Sequence, residues 1–216
     1  MRTRVTLGLD DRWRRQAVTE AALRPGDSVV DVCCGDGRLT ALLAQRVGPF
    51  GRVEGVDLSA PAVDAAVARQ HALVQAHFQV ADALTLPFPA GTFDAATSGF
   101  GLRHLPDIQA GLRELVRVVR PGGRVVILEF ALPRGRLRGT AYQRLCGAAA
   151  PVLAHIVGGD ASAYRALPRA LGTFPTPVAL GLLMEQAGLS DVTRDDLTMG
   201  IASLHRGTVR YAAPGS

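Results

Sequence analysis

The chain has 216 residues, 48% of them hydrophobic and 20% charged, which fits a globular fold with one sizeable core and excludes a disordered chain. The longest apolar run, residues 148–157, is broken by Pro151 and His155 and falls short of the roughly 18 residues a spanning helix needs. The net charge of +5 comes from arginine alone, since the chain contains neither Lys nor Asn. That bias, with only 5% aromatic residues for base stacking, argues against nucleic acid as the partner.

The first 15 residues are basic but lack the apolar segment of a secretory signal, and three cysteines do not make a disulfide framework, so a reducing, cytoplasmic setting is expected. A strand is predicted over Ser28 to Cys33, followed by the turn Gly35-Asp36-Gly37 and a helix whose apolar face runs Leu39, Leu42, Leu43, Val47. A second strand, Arg52 to Val56, ends at Asp57 and leads into a helix capped by Ser59 that runs to about His71. A third strand lies in "AHFQV", and after a proline-rich connection a fourth spans Phe93 to Ser98. Asp107 to Val119 reads as an amphipathic helix stopped by "RPGG", with a fifth strand from Arg124 to Phe130.

Residues 133–175, rich in Arg, Ala, Gly and Pro, break the alternation and are expected to form a helical cap inserted into a single domain covering 1–216, with a helix near 140–157. Order resumes with a helix capped by Thr176, opened by Pro177 and stopped at Gly188, then strands near 191–197 and 201–205. Strands alternating with helices imply a mostly parallel α/β sheet covered on both faces.

The stretch "VVDVCCGDGR" (residues 29–38) raises two readings, a thiol site at Cys33-Cys34 or a backbone turn beneath a ligand. Adjacent residues near a strand end point to opposite faces and are badly placed to chelate one ion, so no metal is expected. The second reading is favoured: a strand ending in Gly35-x-Gly37 exposes backbone N–H groups at a helix start, where a Cβ would block close approach. Asp57, twenty residues beyond Gly37, stands where a carboxylate accepts from both ribose hydroxyls of an adenosine. Asp82 ends the third strand, within reach of an adenine amino group, and Asp31 adds a carboxylate on the first strand. These acids suit S-adenosylmethionine, whose ammonium and sulfonium are cationic, better than a dinucleotide, because the third glycine of that fingerprint is replaced by Thr40.

With "VVDVCCGDGRLT", "GVDLS", "ADALTLPFPAGTFDAATSGFGLRHLPD", "RELVRVVRPGGRVVILEF" and "LLMEQAGLSDVTRDDLTMGIASLHRG" in order, the chain resembles the ubiquinone/menaquinone biosynthesis C-methyltransferases from about Val5 to Gly207. The resemblance implies a class I S-adenosylmethionine-dependent methyltransferase, a Rossmann-like sheet of seven strands with the last antiparallel. It implies methylation of a prenylated quinol ring, demethylmenaquinol to menaquinol or the ubiquinone-pathway equivalent. Carried over by position, cofactor contacts fall on Asp36, Asp57, Asp82 and Ala83, with Gly35 and Gly37 shaping the loop and Leu58 and Gly99 completing the candidate set.

The chain departs from the family pattern at Asp36, Arg38 and His104, where Thr, Asp and Asn are usual, and Asp36 and Arg38 are expected to pair. Relatives usually carry a longer start before "TLG" and "WRR", which leaves three readings open: a misassigned start, a shortened chain or a more open site. Ring methylation needs electron density from an ionising hydroxyl, and "FGLRHLPD" (100–107) supplies the candidates: Arg103 to stabilise a phenolate and His104 to accept the proton. A scaffold ion pair for Arg103 and a plain capping role for His104 stay open beside these roles. The basic and apolar segment 133–157 offers peripheral contact with the inner face of a membrane, through Arg134, Arg136 and Arg138, and a homodimer is left open. Two other functions also stay open: a methyltransferase for small acceptors of specialised metabolism, and a non-catalytic S-adenosylmethionine binder.

Overall fold

A computed structural model of the chain describes residues 9–131 and 174–211. The elements in order are α1 (Leu9–Glu20), β1 (Ser28–Val32), α2 (Arg38–Val47), β2 (Arg52–Asp57), α3 (Ala60–Gln70), β3 (Ala76–Val80) and β4 (Phe93–Gly99). A single 3₁₀ turn (Leu102–His104) follows, then α4 (Ile108–Val118), β5 (Val119–Phe130), α5 (Pro177–Gln186), β6 (Leu189–Leu197), a second 3₁₀ turn (Thr198–Gly200) and β7 (Ala202–Val209).

The strands form one seven-stranded sheet in the order β3-β2-β1-β4-β5-β7-β6. β1 to β5 run parallel and β7 pairs antiparallel with β5 and β6, the arrangement of a class I, Rossmann-like methyltransferase. Successive strand residues point to opposite faces, and the core divides accordingly. Val29, Ala95, Val126 and Leu128 pack with α1 and α2 on one face, while Val30, Ala96, Val125 and Ile127 pack with α4 and α5 on the other. The sequence therefore reads as near-continuous apolar runs, as a strand buried on both faces requires.

The helix starts follow their capping residues. Ser59 Oγ accepts from the Ala62 N–H, Asp107 Oδ1 from Ala110, and Thr176 Oγ1 from Ala179, each satisfying an orphan donor of the first turn. Four differences from the sequence expectations stand out. α1 was not anticipated; its short apolar face, Trp13, Ala17 and Val18, is buried among otherwise charged residues. β5 begins at Val119, which pairs with Phe93, and the "RPGG" segment is looped out of register, with Gly122 at φ 78°, before pairing resumes at Arg124 opposite Ala95. β6 begins at Leu189, and a bulge around Asp191 (φ 52°) hides its early start from a strict alternation pattern. β7 runs on to Val209, which pairs with Leu189. The expected cap at 133–175 lies almost wholly outside the described residues.

Among the described residues no helix is long and apolar enough to cross a membrane, and no group of three His, Cys, Asp or Glu is arranged to hold a metal ion.

Candidate active site

The carboxyl ends of β1, β2, β3 and β4 border a cleft of about 420 Å³. Ligands of open α/β sheets sit at that edge, and the volume lies in the range of small-molecule sites. β1 reaches the cleft through a turn that starts at Cys33, which adopts a left-handed φ of 59°. Gly35 (φ 54°) follows with open space around the position a Cβ would take. Gly37 (φ 78°) then opens α2, and there a Cβ would press to 3.1 Å from the Phe78 ring and 3.2 Å from Ala66. The first glycine faces the cleft, and the second permits close packing of α2 on α3 and β3.

Cys33 lines the cleft but its thiol is pushed up to about 12, chiefly by burial and then by Asp57 and Asp31; Cys34 is raised by the same causes. Both thiols stay protonated at neutral pH, so neither is an activated nucleophile. The Cys33 Cβ instead fills the space against Gly101, where any added Cβ would lie 2.2 Å away.

Asp57 orients its carboxylate with backbone donors, Oδ2 accepting from the Gly35 N–H and Oδ1 from the Ser59 N–H, both at 2.9 Å. Each oxygen keeps lone-pair capacity toward the cleft, which fits a vicinal diol. Leu58, beside it, leaves 71% of its surface uncovered at the cleft wall, an apolar face that fits a flat heteroaromatic ring. Asp82 accepts from the Leu84 N–H at 2.9 Å and Ala83 is buried next to it. An acid that fits a ribose diol, an apolar wall and a second acid thus stand side by side at the cleft edge. Gly35, Asp36, Gly99 and His104 border the same cleft.

Three expected residues do not line it. Gly37 packs behind the loop. Asp31 is fully buried, its oxygens accepting from Thr40 Oγ1 (2.7 Å) and Thr97 Oγ1 (3.0 Å), and burial raises its carboxyl to about 6. It ties β1 to α2 and β4 from below, beneath the loop that borders the cleft.

Arg103 is the third. Its side chain is 8% exposed, with Nη1 3.3 Å from Oε2 of the fully buried Glu129 and Cζ stacked 4.8 Å over the Phe130 ring. Nη2 donates to the Phe100 carbonyl at 2.9 Å. In this geometry the guanidinium is held by Glu129, Phe130 and the Phe100 carbonyl, behind the cleft wall. Arg103 Nε donates to His104 Nε2 at 3.3 Å, so the neutral imidazole carries its hydrogen on Nδ1. Burial and then the Arg103 charge lower the pKa of His104, which keeps it neutral at pH 7.

The expected Asp36–Arg38 pair is present at 3.5 Å within a longer relay. Arg69 holds Asp36 at 2.8 Å, and Arg38 also reaches Asp10 of α1 at 3.1 Å, as does Arg14 at 2.8 Å. Sequence reading missed Arg14 and Phe100, which line the cleft with Arg14 Cζ 5.3 Å from the Phe100 ring centroid. The "WRR" triplet was the available signal, but a charged helix with a narrow apolar face gives little periodicity.

The ubiE/COQ5 methyltransferase family matches residues 1–209. A demethylmenaquinone methyltransferase of Thermus thermophilus is 40% identical over 94% of this chain and 92% of its own length. A ubiquinone/menaquinone biosynthesis C-methyltransferase of Hahella chejuensis is 35% identical over 94% and 83%, and a demethylmenaquinone methyltransferase of Desulfitobacterium hafniense 34% over 96% and 83%. The fold is shared with an S-adenosylmethionine-dependent methyltransferase of Aquifex aeolicus, at TM-score 0.68 and 19% identity over 96% of this chain and 94% of that one. It is shared also with phosphoethanolamine N-methyltransferase 2 of Haemonchus contortus, at TM-score 0.69 and 15% identity over 92% and 52%. With a family match spanning nearly every residue and relatives this similar over most of their own length, this chain belongs to the ubiE/COQ5 methyltransferase family.

Proposed function

We propose that this protein transfers the methyl group of S-adenosylmethionine to a ring carbon of a prenylated quinol, converting demethylmenaquinol to menaquinol or carrying out the ubiquinone-pathway equivalent. What supports the acceptor most is the Thermus relative named demethylmenaquinone methyltransferase, matched over nearly the whole of both chains. The cleft supports the cofactor through Asp57, Leu58 and Asp82 at adjacent strand ends.

S-adenosylmethionine supplies an electrophilic methyl group; the protein supplies alignment and control of a proton. A phenol ionises near pH 10, so its ring carbon gains nucleophilicity only when the hydroxyl proton is withdrawn or strongly hydrogen-bonded. His104 stands at the cleft wall as the polar group for that hydroxyl. Its Nε2 lone pair is engaged by Arg103, so the hydroxyl proton passes to water while the His104 Nδ1–H donates to the ring oxygen and stabilises the phenolate, which takes a proton back from water after transfer. Arg103, anchored by Glu129, fixes this tautomer and is a positioning residue. The methyl carbon forms a bond to the ring as its bond to sulfur breaks; the displaced ring proton leaves to solvent and aromaticity returns. Orientation of carbon, methyl and sulfur on one line contributes most of the rate.

A tail-bearing acceptor resides in a bilayer, and the basic segment with Arg134, Arg136 and Arg138, outside the described residues, is the proposed contact. Turnover of short-chain demethylmenaquinol against soluble phenols and amines tests the acceptor: preference for the quinol supports the reading, and equal or better turnover of the soluble acceptors contradicts it. Flotation with anionic liposomes, lost on replacing the three arginines, is the expected result for the membrane contact.

A further inference from the structure

A second pocket, of about 250 Å³, lies at the opposite edge of the sheet. It is bordered by residues 21–24 and Asp27 ahead of β1, by Asp94 at the start of β4, and by Arg120 with residues 122–124 of β5. These are the amino ends of strands whose carboxyl ends border the candidate active site, so the length of β4, about 20 Å, separates the two.

Three guanidinium groups and two carboxylates line this pocket, and the carboxylates are unequally used. Asp94 is engaged at both oxygens, Oδ2 accepting from the Ser28 N–H at 2.8 Å and Oδ1 from Arg120 Nε at 2.7 Å. Asp27 Oδ2 accepts from the Arg24 N–H at 2.7 Å, whereas Oδ1 has no partner among the described residues. The side chains of Arg24 and Arg124 likewise meet no acceptor among the described residues. On the β5 side, Gly122 is left-handed at φ 78°, and a Cβ at Gly123 would lie 2.5 Å from the Asp94 carbonyl oxygen. Glycines thus keep that wall free of side chains between Arg120 and Arg124.

Two uncommitted guanidinium groups favour an oxyanion, which each can grip through paired N–H donors. A carboxylate oxygen beside them repels such an ion unless the ion carries a proton to donate. At neutral pH inorganic phosphate retains a proton on oxygen; sulfate and the phosphodiester of a lipid headgroup retain none. The pocket is also smaller than the roughly 300 Å³ at which sites for drug-sized ligands begin, which suits a single small ion.

We propose that this pocket binds inorganic phosphate, with Arg24 and Arg124 holding its oxygens and Asp27 Oδ1 accepting its P–O–H hydrogen. Asp27 is the selectivity element: it admits the protonated anion and rejects sulfate and lipid phosphodiesters. The bound ion joins the segment before β1 to the start of β5 and stabilises the fold without entering the cleft.

Calorimetric titration with sodium phosphate and sodium sulfate at constant ionic strength tests this on wild type, Arg24→Gln, Arg124→Gln and Asp27→Asn. Wild type is expected to bind phosphate in the millimolar range or tighter, and at least about tenfold more tightly than sulfate. That comparison needs no variant, and Arg24 is exposed, so its replacement leaves the fold intact. Each arginine variant should weaken phosphate binding about tenfold. Asp27→Asn keeps an acceptor for the Arg24 N–H but loses discrimination by protonation, so the two anions should then bind alike. S-adenosylhomocysteine should not displace the phosphate. The proposal is overturned if wild type binds phosphate no better than sulfate, if binding survives both arginine replacements, or if Asp27→Asn retains the preference. Displacement by S-adenosylhomocysteine would move the ion to the cleft and overturn it too. Flotation with phosphatidylglycerol vesicles, lost in both arginine variants and unaccompanied by binding of free phosphate, would overturn it in favour of a lipid surface.

Discussion

Arg103 and Glu129 form a buried ion pair at 3.3 Å directly behind the cleft wall, with Phe130 stacked against the guanidinium and the Glu129 oxygens also accepting from the backbone N–H groups of Arg103 and Phe130. Removing one partner leaves the other buried and uncompensated. Glu129→Ala is expected to destabilise the protein by about 3 kcal/mol or more and to lower kcat by freeing Arg103 and with it the His104 tautomer. Chemical denaturation together with the pH profile of kcat checks this; loss of stability with an unchanged profile would limit Glu129 to the scaffold.

His104→Asn separates a hydrogen-bonding role from a proton-accepting one. Asn keeps an N–H donor at the wall but has no titratable group. Activity within about tenfold of wild type, with the same pH dependence, is expected. A new or vanished pH step in kcat would mean that His104 takes the proton.

Asp31 makes stability depend on pH in a stated direction. Its folded carboxyl is raised to about 6 by burial against an ordinary value of 3.8, so the native state holds a proton that the unfolded state has lost across that interval. Stability from this group is complete below about pH 4, falls as pH rises through about 6, and is then constant, a cost of up to about 3 kcal/mol at pH 7. Asp31→Asn keeps a carbonyl acceptor for one threonine and offers an N–H to the other. A flatter profile between pH 4 and 6 and a higher Tm at pH 7 are expected; a lower Tm at pH 7 would mean that the charge itself is needed.

Gly101→Ala is expected to be severe for a small change. The new Cβ would lie 2.2 Å from the Cβ of Cys33, and neither atom sits on a flexible arm, so the β1 and β4 ends must separate at the cleft. A loss of about 2–3 kcal/mol, with weakened cofactor binding, is the expected outcome by denaturation and calorimetry. Wild-type stability in this variant would show that the two turns are not held together as described.

Thiol reactivity checks the reading of the opening motif. With both Cys33 and Cys34 protonated, alkylation by iodoacetamide at pH 8 should be far slower in the native protein than after unfolding, and chelators should leave turnover unchanged. Rapid modification of Cys33 would contradict the account of its environment.

The first two strands were legible in sequence because each is largely apolar and leads into a chemically informative residue or turn. Val29 to Val32 leading into Gly35-x-Gly37, and Val53 to Val56 leading into Asp57, fix both the strands and the cleft edge. Side-chain direction was less legible. Asp31 differs from Asp57 only in position along a strand, yet one faces two threonines in the interior and the other faces the cleft. Arg103 and Arg14 show the same limit. Local sequence marks Arg103 as a cation near the site and says nothing of Arg14; Glu129, 26 residues away, captures Arg103, whereas Arg14, held by the Asp10 it shares with Arg38, borders the cleft. These outcomes depend on long-range partners that a motif does not encode.

The central claim is transfer to carbon. Incubating the protein with S-adenosylmethionine carrying a ¹³C-labelled methyl group and a short-chain demethylmenaquinol, then locating the label by NMR, tests it most directly. The account predicts a labelled methyl bonded to the quinone ring carbon. Label on a quinol oxygen, or no transfer from a protein that binds S-adenosylmethionine, would contradict it.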